Sequence, residues 1–158
     1  MRWSELETEP CPVARAMSVI GDRWTVLLLR DALRGVTRFE EFHRRLGCSR
    51  AIVSERLAHL VERSILVREP YELHPPRHDY RLTESGRALG PLLMTMSNWA
   101  ETWLPGTSAY RVRRIHKTCG HAFQPVIQCS ECGEPVAPGD VEHVDPRARL
   151  RTPAQKPA

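Results

Sequence analysis

The chain has 158 residues, 41% of them hydrophobic and 27% charged, enough for one ordinary domain with a small appendage and too short for a large multidomain enzyme. Arg30 and Asp31 close the best apolar run, Trp24 to Leu29, well short of the ~18 residues of a membrane span; Met1 to Pro10 carry four charged residues and no apolar stretch of a secretory leader, so a cytoplasmic location is expected. The formal net charge is +4, and 21 of the 23 basic residues are arginine, whose planar fork suits phosphates and base edges and points to nucleic acid.

Cys11 directly precedes Pro12, a favoured first helical residue, which places its thiol beside a helix N-terminus where the reactive thiolate is favoured. The alternative is a small residue buried in a contact. Trp24, Leu27, Leu28 and Ala32 recur at helical spacing and predict a helix from about Asp22 to Leu33, stopped by Gly35. Thr37 followed three residues later by Glu40 is a capping-box pattern for a second, short helix bearing Phe39, Phe42 and Leu46. Gly47-Cys48 makes a turn, and Ser49 caps a third helix whose Val53, Leu57, Leu60 and Val61 face the core, ending near Arg63-Ser64.

Two short helices joined by a Gly-containing turn match a helix-turn-helix. Ile65 and Val67, then Tyr80 and Leu82, read as two short strands flanking a Pro-rich, charged tip from Pro70 to Asp79, which makes the arrangement a winged helix. Thr83 caps a further helix in which Leu89, Leu92, Leu93, Met96, Ala100 and Trp103 recur at helical spacing, with Pro91 expected to kink or restart it. The fold class is therefore mainly α with a small β wing.

A helix entering the major groove reads bases with its N-terminal residues and the face turned away from its core. The apolar row of the third helix leaves Ser49, Arg50, Ala51, Ser54 and Glu55 outward, with Arg56 on the helix's other edge, where pairing with Glu55 or Glu62 is the alternative to a DNA contact. Arg50 suits guanine, Ala51 a thymine methyl and Glu55 cytosine, while Ser49 and Ser54 suit phosphates. Thr37 and Arg38 sit where free backbone N–H groups of a helix start add to an Arg charge, and Arg77 and His78 at the wing suit a minor groove or the backbone. From Arg34 to Arg68, eight arginines face four acids.

Composition changes at Pro105-Gly106-Thr107-Ser108, which divides a domain over 1–104 from a Cys-rich module over 105–144; residues 145–158, with a single large aliphatic side chain, read as a disordered tail. Without a secretory leader, five cysteines argue against a disulfide scaffold. His116-x-x-Cys119-Gly120 and Cys129-x-x-Cys132-Gly133 look like two zinc knuckles in tandem, predicting a structural, tetrahedral Cys3His zinc site in a zinc-ribbon-like module. His121 competes with His116, and free cysteines are the alternative. The chain has no Gly-rich phosphate loop, no G-x-S-x-G, no H-E-x-x-H and no zinc-deaminase pairing, so an enzyme is not expected.

Cys11-Pro12, Ile20-Gly21-Asp22-Arg23-Trp24, Arg38-Phe39 with Phe42, and Ser54-Glu55-Arg56-Leu57 occur in order, followed by Pro75-Pro76-Arg77, Tyr80-Arg81-Leu82-Thr83-Glu84-Ser85-Gly86 and Trp99. In these the chain resembles the HxlR-type winged-helix transcriptional regulators, relatives of the MarR group, over roughly Cys11 to Leu104. The resemblance implies a dimeric DNA-binding repressor or activator, dimerised through its N-terminal and long C-terminal helices, with Cys11 placed to sense oxidants or electrophiles. A homodimer reads a two-fold related site, so a pseudo-palindromic operator is expected. The rival reading is an interaction module binding RNA or a protein partner.

Overall fold

The computed structural model describes residues 3–104 and 113–144. The chain divides into two compact units, Met1–Ala109 and Tyr110–Ala158. Among the described residues of the first unit the elements run α1 (Trp3–Leu6), α2 (Pro12–Ile20), α3 (Arg23–Leu33), α4 (Phe39–Leu46), α5 (Arg50–Glu62), β1 (Leu66–Leu73), β2 (Pro76–Leu82), α6 (Glu84–Ala88) and α7 (Gly90–Trp103). This is a mainly helical fold with one two-stranded antiparallel sheet, the winged helix-turn-helix arrangement.

Caps fix where the helices start. Asp22 accepts from the backbone N–H groups of Trp24 (3.0 Å) and Thr25 (3.1 Å) at the head of α3, and Ser49 from that of Ile52 (3.4 Å) at the head of α5, each satisfying donors that the first turn leaves free. Gly47, in the left-handed region with φ 64°, closes α4 and makes the turn into α5. The short helix α4 departs from the expected capping box. Arg38 stands at its N-cap with no side-chain cap, and Thr37 Oγ1 instead donates to Asp79 Oδ1 at 3.1 Å, 42 residues along the chain.

The core joins α3, α4, α5 and the start of β1 through Leu28, Leu29, Ala32, Phe42, Val53, Leu57, Leu60 and Leu66, with Ile20 and Val36 completing it. Phe42 is fully buried, a position whose truncation to Ala typically costs about 3–5 kcal/mol. The buried stripe of α3 is rotated from the expected row: Thr25 and Leu29 are inside, whereas Trp24 and Leu27 are half-buried. The Arg23 guanidinium lies 4.8 Å over the Trp24 ring. Asp31, 1% exposed, takes two 3.0 Å hydrogen bonds from Arg30, which satisfies a charge that could not otherwise be buried.

The wing is longer in strand and shorter in tip than expected. β1 and β2 pair from Leu66↔Leu82 to Leu73↔Pro76, with a bulge between Pro70 and Glu72, so the turn is reduced to His74-Pro75. Cross-strand ion pairs, Arg81 Nε to Glu69 (3.0 Å) and Arg77 Nε to Glu72 (3.2 Å), hold a polar stretch in the ladder that alternation of apolar residues did not mark. After the wing, Thr83 Oγ1 accepts from Gly86 N at 3.2 Å to cap α6 and donates to Ser64 O at 2.7 Å. Gly86 passes so close to the Ile65 carbonyl that a Cβ there would stand 2.2 Å from the oxygen, which explains the absence of a side chain. Pro91 restarts the chain as α7.

Candidate nucleic-acid interface

The packing of α5 decides which of its residues are available. With Val53, Leu57 and Leu60 buried, Ser49, Arg50, Ala51, Ser54 and Glu55 form one exposed face over its first turns. Arg56 lies elsewhere. It is half-buried, with Nε 3.4 Å from Asp22 Oδ1 and Nη2 3.2 Å from Glu55 Oε1, and it lines a cleft with Asp22, His59 and Arg63.

Arg50 already has a partner. Its guanidinium donates to both oxygens of Glu40 on α4 (2.8 and 2.6 Å) and lies 4.8 Å over the Phe39 ring. The two hydrogen bonds hold the Glu40 carboxyl below the ordinary carboxylate range and push Arg50 further up. Both side chains are exposed, and a pair of that kind is weak and screened by salt, so a phosphate or guanine can displace the carboxylate. Glu40 was not legible as part of this site from spacing alone. The tight Gly47 turn, which brings the starts of α4 and α5 together, is the signal that points to it.

Thr37 and Arg38 are fixed by Asp79 of β2, which is buried and receives Thr37 Oγ1, Arg81 Nη2 (3.0 Å) and, more loosely, Arg38 Nε (3.7 Å). Tyr80 N donates to Thr37 O at 2.7 Å, so the wing is tied to the start of α4. Arg38 remains exposed and stacks 4.3 Å over the Tyr71 ring, a guanidinium presented rather than withdrawn. Arg77 is exposed beside the wing turn. His78 is not at the tip: it is paired with Pro70 inside the ladder, half-buried, its Nδ1 3.0 Å from Arg68 Nη2. The structure thus places Thr37 and Arg38 just before α4 and Ser49, Arg50, Ala51, Ser54 and Glu55 at the start of α5, leaves Arg77 on the wing, and turns Arg56 and His78 toward partners within the chain.

Cys11 is the N-cap of α2 and is exposed, without a side-chain cap hydrogen bond. Cys48 packs at the edge of the core. In the second unit His116 Nδ1 lies 3.2 Å from Cys119 Sγ. The Cys129 thiol is pulled below its ordinary value by the N–H groups of Cys132 and Glu131 and by the Cys132 thiol. The four expected ligands thus stand as two pairs; among the described residues no group of three or more His, Cys, Asp or Glu is placed to hold a metal ion. No helix among the described residues is long and apolar enough to cross a membrane.

Comparison with known proteins agrees with this architecture. The HTH-type transcriptional regulator Rv3095 of Mycobacterium tuberculosis is 40% identical over 129 residues, 82% of each chain. The crystal structure of PA1607 superposes with a TM-score of 0.78 at 36% identity, covering 89% of this chain and 98% of that one. The redox regulator HypR in its reduced form gives 0.57 at 33% identity, over 63% of this chain and the whole of that one. The HxlR-like helix-turn-helix family matches residues 19–108, and with the winged helix that those residues build, the chain belongs to the HxlR-like helix-turn-helix family of transcriptional regulators.

Proposed function

We propose that the chain acts as a homodimer on a pseudo-palindromic DNA operator, each protomer placing the first turns of α5 in a major groove. The observation that carries this reading is the contiguous exposed face Ser49, Arg50, Ala51, Ser54 and Glu55 at the N-terminal end of a helix whose other face is locked in the core. Arg50, exchanged from Glu40 to guanine O6 and N7, Ala51 against a thymine methyl and Glu55 accepting from cytosine are the base contacts. Ser49, Ser54, Thr37 and Arg38 hold phosphates, and Arg77 reaches the backbone from the wing. Dimerisation through α2 and α7 places the two recognition helices on half-sites about one helical turn apart. Arg50→Ala should weaken binding to the preferred operator roughly tenfold or more and relax preference at one base pair, read by fluorescence anisotropy on operator variants. Unchanged affinity and unchanged preference would remove α5 from the role.

A second reading, redox response through Cys11, draws on the exposure of that thiol at the start of α2 and on the likeness to a redox regulator. Hydrogen peroxide should then alter operator binding by the wild-type chain and leave the Cys11→Ser variant unaffected; an equal response of both would dismiss Cys11 as the sensor.

A further inference from the structure

The second unit contains one structural motif twice. His116 N donates to His121 O (2.9 Å), Gly120 N to His116 O (2.8 Å) and Phe123 N to Arg114 O (3.1 Å). At an offset of 13 residues the same three bonds recur: Cys129 N to Glu134 O (2.9 Å), Gly133 N to Cys129 O (2.9 Å) and Val136 N to Ile127 O (2.9 Å). The flanking bridges repeat as well, Ile115↔Ala122 and Gln128↔Pro135, and so do the glycines in the left-handed region, Gly120 at φ 71° and Gly133 at φ 74°. Each copy is a tight turn clipped by a small antiparallel bridge. In each, the first and fourth residues of the turn are metal-ligand types, His116 and Cys119 in one, Cys129 and Cys132 in the other.

Little apolar burial holds these turns, the Phe123 ring standing edge-on to His116 with centroids 6.0 Å apart in the first. Every described residue from 113 to 144 is exposed or half-buried, including Ile115, Phe123, Val126 and Ile127. A segment of this size gains little from burial to hold ordered turns, and natural modules in that position use a cross-link or a metal. The donors have the right chemistry and, within the first pair, the right spacing. Two ligands of a tetrahedral zinc ion, one sulfur and one imidazole nitrogen, stand about 3.5 Å apart, and His116 Nδ1 and Cys119 Sγ are 3.2 Å apart.

We propose that residues 113–144 bind one tetrahedral Zn2+ through His116 Nδ1 and the thiolates of Cys119, Cys129 and Cys132, binding of the ion drawing together the two pairs, which in this structure stand apart. The repeat also assigns the imidazole ligand. His116 is the counterpart of Cys129, a ligand position, whereas His121 is the counterpart of Glu134, a position whose carbonyl accepts from the backbone N–H of the first turn residue. Three thiols release their protons on binding, so affinity rises with pH. Four protein ligands leave no open coordination position, which makes the ion structural. The site uses none of the residues proposed to contact DNA, so either proposal can fail without the other.

The test is elemental analysis of the full-length protein purified without added metal and again after dialysis against excess Zn2+, with Co2+ titration as an optical probe. One zinc per chain is expected, together with thiolate-to-cobalt charge-transfer and tetrahedral ligand-field bands. His116→Ala and Cys129→Ser should lower the zinc content at least tenfold, and His121→Ala should keep one zinc per chain. Absence of zinc in the dialysed wild type, absence of the cobalt bands, or full zinc in Cys129→Ser overturns the site. Loss in His121→Ala with retention in His116→Ala overturns the ligand assignment.

Discussion

Asp22 shows how one side chain serves both fold and site. Burial tends to raise its carboxyl pKa, but the Thr25 N–H, the Arg56 charge and the Trp24 N–H outweigh that and hold it below the ordinary value. A carboxylate lowered in the folded state stabilises fully above its unfolded pKa, and that stabilisation is lost as pH falls through the folded value. Asp22→Ala should therefore cost about 1 kcal/mol at neutral pH, a typical N-cap loss, and the gap to wild type should close below about pH 4; urea unfolding at the two pH values measures it. A gap that widens in acid would contradict the assignment. Ser49 and Thr83 were legible as caps in the sequence because the bonds they make reach only three residues ahead. Thr37 fits the same local pattern and is not a cap, because its hydroxyl serves an aspartate 42 residues away, and no local pattern encodes a partner that only the folded wing supplies.

At the scale of elements, helical periodicity located α3, α4, α5 and α7, and the turn at Gly47 followed from its position. The strands were underestimated because β1 and β2 are held by ion pairs and backbone bonds along a stretch with few apolar residues, so period-2 alternation stops before the ladder does. α7 carries two stripes. Leu93, with Leu89 just before the helix, packs on the core, while Leu92, Met96, Trp99 and Trp103, at i, i+4, i+7 and i+11, are exposed, Trp99 at 54% and Trp103 at 69%. An exposed apolar row of that length on a 14-residue helix suits a protein–protein contact and is consistent with the proposed dimerisation through α7. Trp99→Asp should convert dimer to monomer in sedimentation or light scattering and reduce operator affinity, with the far-ultraviolet spectrum unchanged. A variant that stays dimeric places the contact elsewhere.

For the whole molecule, charge and fold act together. The +4 chain concentrates eight arginines against four acids between Arg34 and Arg68, the segment that contains α4, α5 and the start of the wing. In the proposed complex that surplus would supply a sequence-independent attraction to phosphates that falls steeply with salt, whereas the base contacts proposed for α5 would persist. The tandem H/C-x-x-C-G pattern in the second unit was legible because both turns are encoded within five residues each; the equivalence of their backbone bonds required coordinates. The most direct test of regulation by sequence-specific DNA binding is selection of genomic fragments on the purified full-length protein at near-physiological salt, followed by sequencing. A pseudo-palindromic motif with half-sites about one turn apart, enriched by the wild type and lost with Arg50→Ala, is the predicted result. Recovery of fragments with no shared motif, or of the same motif by both proteins, would contradict it and favour an RNA or protein partner in the first case and a different reading element in the second.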